Sequence, residues 1–248
     1  MRVAGSVALV TGASSGIGRA VATRLARDGA TVLAAGRDKD RLARLATDTG
    51  AVPVPVDLSS PHAPTDLAER ALAVAGRVDI VVNNAGTGWA GPVTAMSAAD
   101  VDTLLAVNLR APLQLTRALL PDLGRPGHLV FVGSIAGGLG VRDEAVYAAV
   151  KAGLHVFAES LRLELARDRV GVSLVVPGVV DTAFFARRGR PYDRARPRPM
   201  PAERVASALV DAIRAGRDEV YLPRWLRLAV AVRGVAPGTY RRLAGRYG

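Results

Sequence analysis

The sequence predicts an α/β fold: one doubly wound domain, a mostly parallel sheet with helices on both faces. Three observations predict it. Short runs of Val, Leu and Ile alternate with longer segments of helical spacing along most of the 248 residues. Those short runs are apolar throughout, the pattern of strands buried on both faces rather than on one. Half the residues are hydrophobic and 22% are charged, enough apolar material for a sizeable core. Right-handed crossovers then bring the C-terminal ends of the strands to one edge, where ligands bind in such folds.

The elements follow in order. Val7–Thr11 reads as a buried strand and Ile17–Arg27 as a helix with a polar side. Thr31–Ala35 is a second strand, followed by a charged helix over Lys39–Thr47. Val52–Val56 is a third strand, Leu67–Ala75 a helix and Asp79–Val82 a fourth strand. A long helix is predicted over about 97–123, a fifth strand at Leu129–Val132, a second long helix over Val146–Arg167 and a sixth strand at Val172–Val176. Residues 183–200 break the rhythm with Pro191, Pro197 and Pro199 among arginines, which predicts a mobile loop or lid. A helix resumes over 203–215, and Glu219–Leu222 is a last short strand. No internal repeat is present.

Composition excludes several chemistries. Cysteine is absent, which removes disulfides, thiolate catalysis, Cys-ligated zinc and iron–sulfur clusters and fits a reducing compartment. Only His62, His128 and His155 occur, so neither a metal site nor a Ser–His–Asp triad is expected, and all three read as structural or solvated. Met1–Val10 runs into a glycine motif with no signal-peptide pattern, and no run of about 18 apolar residues suggests a membrane span. A cytoplasmic location is expected.

The formal charge of +11 resides in two segments. Residues 183–200 hold Arg187, Arg188, Arg190, Arg194, Arg196 and Arg198 against Asp193. Residues 222–248 hold Arg224, Arg227, Arg233, Arg241, Arg242 and Arg246 with no acid. Such patches attract anionic substrates, acidic proteins or anionic lipid. No aromatic-rich basic stripe accompanies them, so nucleic acid ranks last.

Thr11-Gly12-Ala13-Ser14-Ser15-Gly16-Ile17-Gly18 joins the first strand to the first helix. Glycines there permit a tight turn, close approach of a pyrophosphate and helix-on-strand packing, and the helix N-terminus offers free N–H groups to phosphate. No Lys-Ser/Thr pair follows the last glycine, so this is no mononucleotide P-loop. The second strand ends in Ala35-Gly36-Arg37. A carboxylate at its end would hold a ribose 2′-hydroxyl, whereas a guanidinium forks onto a 2′-phosphate. This favours NADP(H) over NAD(H), the alternative being that Arg37 only begins a solvated helix. Asp57 after the third strand either accepts a hydrogen bond from an adenine amino group or serves as a turn residue.

Tyr147 and Lys151 lie four apart on one helix face. Only two lysines, Lys39 and Lys151, stand among 33 basic residues, so a chance Tyr-xxx-Lys pairing is on the order of a few per cent. A compact ammonium lowers a phenol pKa and hydrogen-bonds a ribose with a geometry that Arg does not reproduce. Ser134 ends the fifth strand on the ligand edge.

With the glycine loop, Asn83-Asn84-Ala85-Gly86, Asn108 within Val107-Asn108-Leu109, Ser134, Tyr147-xxx-Lys151 and Pro177-Gly178-xxx-Thr182 in this order, the chain resembles the short-chain dehydrogenase/reductase family over about residues 4–222. The resemblance implies a single Rossmann-type domain over 1–222, with a seven-stranded parallel sheet, and hydride transfer between a nicotinamide and a carbonyl or alcohol. It implies Tyr147 as general acid/base and Lys151 as the group that lowers its pKa and binds the nicotinamide ribose. Ser134 would bind the substrate oxygen, and Asn108 would hold a water linking Lys151 to solvent. The implied cofactor set is Gly12, Ser14, Ser15, Gly16, Ile17, Gly18, Arg37, Asp57, Leu58, Asn84, Ala85, Gly86, Tyr147, Lys151, Pro177, Gly178, Val180 and Thr182. A homodimer or homotetramer through the two long helices is expected.

Residues 183–200 correspond to a substrate lid in that family. Their arginines suit an anionic substrate, such as an acyl thioester on coenzyme A or on an acidic carrier protein, or are simply solvated. Phe184 and Phe185 would contact substrate. Trp89 lines the pocket mouth or packs ordinarily. Residues 223–248 form a basic amphipathic extension outside the common pattern. It lies on anionic lipid, or packs on a neighbouring subunit or over the pocket; packing is the commoner case. The rival readings of the whole are a dinucleotide-binding regulator without turnover and a peripheral membrane reductase.

Overall fold

The computed structural model describes residues 1–193, 197–238 and 240–242. In chain order the elements are β1 (Val7–Thr11), α1 (Gly16–Arg27), β2 (Thr31–Gly36), α2 (Lys39–Thr49), β3 (Val52–Pro55), α3 (Ala63–Ala75) and β4 (Val78–Asn83). Then come α4 (Ala98–Leu105), α5 (Ala111–Leu119), β5 (Leu123–Val132), α6 (Ile135–Gly138), α7 (Ala145–Glu164) and β6 (Val170–Pro177). The last are β7 (Val180–Asp181), α8 (Phe184–Arg187), β8 (Met200–Pro201), α9 (Ala202–Ala215), β9 (Glu219–Leu222) and α10 (Leu226–Val235).

The main sheet has seven strands in the order β3-β2-β1-β4-β5-β6-β9. Every neighbouring pair is parallel, with Leu9 opposite Leu33 and Val81, and Phe131 opposite Leu174. This is the Rossmann architecture that the apolar strands predict. Alternate residues feed two cores. Val10, Ile80, Val82 and Val130 pack with Val21, Leu25, Leu209 and Ile213 on one face. Leu9, Leu33, Val81 and Phe131 pack with Leu67, Leu115, Leu154 and Ala158 on the other. Burial on both faces explains why the strands read as unbroken apolar runs. The order reverses between β1 and β4, so the crevice at their C-terminal ends is the natural ligand site.

The predicted long helix over 97–123 is not uniform. Ser97 and Asp100 close a capping box at the start of α4. A π-helical turn over Ala106–Arg110 then separates α4 from α5. Pro112, in the first turn of α5, lacks the N–H that the carbonyl of residue 108 would take in an α-helix. The wider turn accommodates that loss, and it sits at Asn108. The second long helix, α7, ends three residues before Arg167.

Residues 183–200 are partly structured. They contain α8, and β8 pairs with β7 in a two-stranded parallel sheet, Val180 opposite Met200. Arg194 and Arg196 of the predicted basic lid lie outside the described residues, as does Arg246 of the extension. α10 covers the pocket: Leu226 is buried, Val230 abuts Gly138, and Arg233 donates to the Gly138 carbonyl at 2.6 Å. Trp225, Leu228, Val232 and Val235 are exposed, and of these Trp225 and Val232 border the cleft. Among the described residues, no helix is long and apolar enough to cross a membrane.

Candidate active site

The site begins at the turn between β1 and α1. Gly12 and Gly16 have φ of 67° and 53°, where a Cβ is strained. A Cβ at Gly12 would also stand 2.8 Å from Asn84 Nδ2, and one at Gly18 would collide with the Gly12 carbonyl. Thr11 ties this turn to the next strand end. Its Oγ1 accepts from the backbone N–H groups of Asn84 and Ala85, both at 3.0 Å, and donates to the Val82 carbonyl. Asn84 Nδ2 donates back to the Thr11 carbonyl at 2.9 Å. Two strand ends are thus locked, with the glycine loop held open above them. The first turn of α1 holds no acidic residue, so its positive end is not neutralised.

All of the expected site residues except Gly18 line a single cleft of ≈ 1710 Å³. Gly18 is buried beneath the loop, a packing position. Arg37 and Arg41 lie at one end of the cleft, with Arg41 paired to Asp38 at 3.1 Å. Asp57 does serve its turn, accepting from Ser59 N–H at 3.0 Å and Ser59 Oγ at 2.9 Å, and it lines the cleft as well. Those bonds hold its carboxyl below the usual range.

At the other end, α7 projects Tyr147, Lys151 and His155 on successive turns of one face. Ser134 caps α6, its Oγ accepting from Ala136 N–H at 3.2 Å, and its side chain favours the charged form of Tyr147. The His155 ring fills the space beside Gly133 and Gly137, and its Nε2 accepts from Ser134 N–H at 3.4 Å. Burial, with Lys151 nearby, lowers the His155 pKa to about 4, so the ring is neutral. The histidine is therefore structural, yet it seats Ser134. Its signal in the sequence is its place four residues after Lys151.

Lys151 Nζ donates to the Val132 carbonyl at 3.0 Å and stands 5.9 Å from the Tyr147 ring centre. Burial lowers its pKa to about 8. The Tyr147 phenol is pushed above its ordinary value. Burial is the main cause, opposed by the Ser134 side chain, reinforced by Glu144 and opposed by Arg188. A dry pocket disfavours the charged phenolate. Asn108 Nδ2 donates to the carbonyls of Thr87 and Leu104 at 3.0 and 3.1 Å, while its buried Oδ1 has no hydrogen-bond partner. Gly86 separates that oxygen from Lys151: a Cβ there would lie 2.9 Å from Oδ1 and 3.6 Å from Nζ. An acceptor and a cation thus face a space without a side chain.

The segment that follows β7 lies over Tyr147. Phe184 stacks on it, and Phe185 and Tyr192 continue the aromatic wall. Two lid arginines hold the loop before α7: Arg188 pairs with Glu144 in a largely buried contact, and Arg190 pairs with Asp143 at 2.7 Å. Trp225, Leu226 and Val232 complete the apolar side. Trp89 packs against Leu104 and Tyr147 rather than lining this cleft. Arg41, Thr87, Arg187 and the α10 residues are cleft residues that the sequence reading did not assign to the cofactor or catalytic set.

Residues 6–193 match the family model for short chain dehydrogenase. An uncharacterised oxidoreductase of Staphylococcus aureus strain MRSA252 is 36% identical over 221 residues, covering 86% of this chain and 95% of the relative. Another from Staphylococcus epidermidis is 35% identical over 216 residues, covering 86% and 92%. A short-chain dehydrogenase/reductase from Burkholderia phymatum, solved in complex with NAD, superposes with a TM-score of 0.85 at 27% identity, covering 94% of each chain. A short-chain dehydrogenase from Burkholderia cenocepacia in complex with NADP gives 0.81 at 29% identity, covering 89% and 97%. The chain belongs to the short-chain dehydrogenase/reductase family, a class of NAD(P)-dependent oxidoreductases. These matches do not favour the regulator without turnover.

Proposed function

We propose that the protein is an NADPH-preferring carbonyl reductase or secondary-alcohol dehydrogenase in which Tyr147 exchanges the proton. One observation carries the reading: Ser134, Tyr147, Lys151 and Asn108 line the same cleft as the glycine loop. The residues present fit a dinucleotide. The loop lacks side chains where a pyrophosphate would approach, the α1 N-terminus is unneutralised, and the cleft exceeds the volume of one small ligand.

Gly12, Ser14, Ser15, Gly16 and Ile17 would hold the pyrophosphate. Arg37 would take the 2′-phosphate, Asp57 and Leu58 the adenine side, and Asn84, Ala85 and Gly86 the middle of the molecule. Pro177, Gly178, Val180 and Thr182 would border the nicotinamide. When bound, the cofactor supplies or accepts the hydride. Tyr147 donates its proton to the substrate oxygen in reduction, and Ser134 hydrogen-bonds that oxygen. Burial favours the protonated phenol, the form that donates. Lys151 holds the ribose and returns a proton to Tyr147. The unpartnered Oδ1 of Asn108 beside Lys151 suits a water on that route.

Phe184, Phe185, Tyr192, Trp225 and Leu226 support an apolar carbonyl substrate. An anionic or carrier-bound substrate draws less support, because Arg188 and Arg190 are engaged by Glu144 and Asp143. Exposed Leu105, Val156 and Leu163 on α4 and α7 support assembly as a homodimer or homotetramer. The test is NADPH oxidation against a panel of ketones and aldehydes. Tyr147→Phe should lower kcat by about 10²–10⁴-fold with NADPH binding retained. An equally active variant would remove Tyr147 from this role.

A further inference from the structure

The short lid helix α8 bears two side chains that face opposite ends of the cleft. Phe184 stacks on Tyr147 with ring centres 5.6 Å apart. Three residues on, Arg187 reaches the glycine loop and donates from Nη2 to Ser15 Oγ at 3.2 Å. This contact links residues 172 positions apart. Ser15 is the N-cap residue of α1, yet its side chain makes no capping hydrogen bond. Its hydroxyl receives a guanidinium from the lid instead, and the first N–H groups of α1 remain open to an anion.

Arg187 also has like-charged company. Burial, then Arg41 and then Arg37, act against its protonated form. All three guanidiniums border the same cleft. Asp38 pairs with Arg41 and Asp57 attracts Arg37, which leaves Arg187 as the excess cation of the three at this end. Arg188 and Arg190, the neighbouring lid arginines, have Glu144 and Asp143 as partners on the substrate side. Bringing Arg187 toward two cations and a helix N-terminus costs electrostatic free energy, and an anion seated among them offsets that cost.

Resting on the cofactor reading above, we propose that Arg187 is a lid-borne phosphate ligand for the dinucleotide, so that cofactor binding closes the lid over Tyr147. The basic lid then recognises the cofactor through Arg187 rather than attracting the substrate. The same helix that receives the phosphate seats Phe184 on the phenol, so the cofactor stabilises the arrangement in which the substrate wall is complete. Coupling of this kind is reciprocal: closing the lid tightens the cofactor as much as the cofactor stabilises the closed lid. The anion is either the pyrophosphate, beside Ser15, or the 2′-phosphate, beside Arg37.

The experiment is equilibrium titration of the full chain with NADPH and with NADH, without substrate, read by nicotinamide fluorescence. Arg187→Gln should raise the NADPH Kd by about tenfold, one charge-assisted contact, and Arg187→Lys should recover part of the loss. Arg117→Gln, outside the cleft, controls for removal of one positive charge and should bind as the wild type does. An equal loss for both dinucleotides assigns the pyrophosphate; a loss for NADPH alone assigns the 2′-phosphate. Chymotrypsin cleavage after Phe185 or Tyr192 should slow when NADPH is added to the wild type but not to Arg187→Gln. Unchanged Kd values for both dinucleotides in Arg187→Gln, or equal protection of both proteins, would overturn the proposal. A wild type that binds neither dinucleotide would instead refute the cofactor reading on which it stands.

Discussion

Phe184 of the lid rests on Tyr147 with the two ring planes inclined by 49°. Tyr147 is 8% exposed, so the contact with Phe184 helps to keep its hydroxyl dry. Glu144, three residues before Tyr147, opposes phenolate, while its lid partner Arg188 favours it. Lid position and phenol acidity are therefore joined through one ion pair and one ring contact.

Phe184→Ala opens that wall. The expected outcome is a rise of about tenfold in KM for bulky apolar ketones, from lost ring contact of roughly 1–2 kcal/mol, with a smaller change for short ketones. Steady-state kinetics at saturating NADPH check it. An equal rise for every ketone would show that Phe184 does not sense substrate size.

Cofactor choice is held at Arg37 in this reading. Arg37→Asp replaces a forked cation with a charge that repels a 2′-phosphate. The NADPH-to-NADH ratio of kcat/KM should fall by about 100-fold or more, on the order of 3 kcal/mol. An unaltered ratio would mean that the guanidinium does not read the phosphate.

Lys151 gives a pH dependence of stability with a definite sign. Its folded pKa of about 8 lies below the ordinary 10.5, so the buried charge costs folding free energy below pH 8. That cost is relieved as pH rises from about 8 to 10.5, where the unfolded chain binds the extra proton. Lys151→Met should therefore stabilise the cofactor-free protein at pH 7 by on the order of 1–3 kcal/mol, read as a higher Tm, and the advantage should shrink above pH 8. Thermal melts across that range decide it.

The histidines act at the other end of the scale. Burial takes His128 and His155 to about 4 from an ordinary 6.5. Both stay neutral in the fold while the unfolded chain takes up protons, so stability is full above pH 6.5 and is lost as pH falls toward 4. His155→Gln should flatten part of that slope in denaturant titrations at pH 7, 6 and 5. It should also lower turnover moderately, because the seat of Ser134 changes.

The strand pattern was legible because a sheet covered on both faces demands unbroken apolar runs, as in Val7–Thr11 and Val78–Asn83, which are buried at every position. The interruption at Asn108 was less so. Pro112 is visible in the sequence, but helical periodicity continues across it, and only the hydrogen-bond pattern distinguishes a π-helical turn from a regular one. Asp57 had two readings because one carboxylate can serve a turn and border a cleft together.

Local sequence determined the fold class, the glycine turn and the Tyr147–Lys151 spacing, since each depends on backbone conformation and residues a few positions apart. Tertiary structure alone decided which arginines are engaged by acids, where Arg187 points, how His155 supports Ser134 and how dry Tyr147 becomes. Those properties arise from groups far apart in the chain. Ion pairing and desolvation depend on distance in space and on the excluded water, and a linear sequence carries neither.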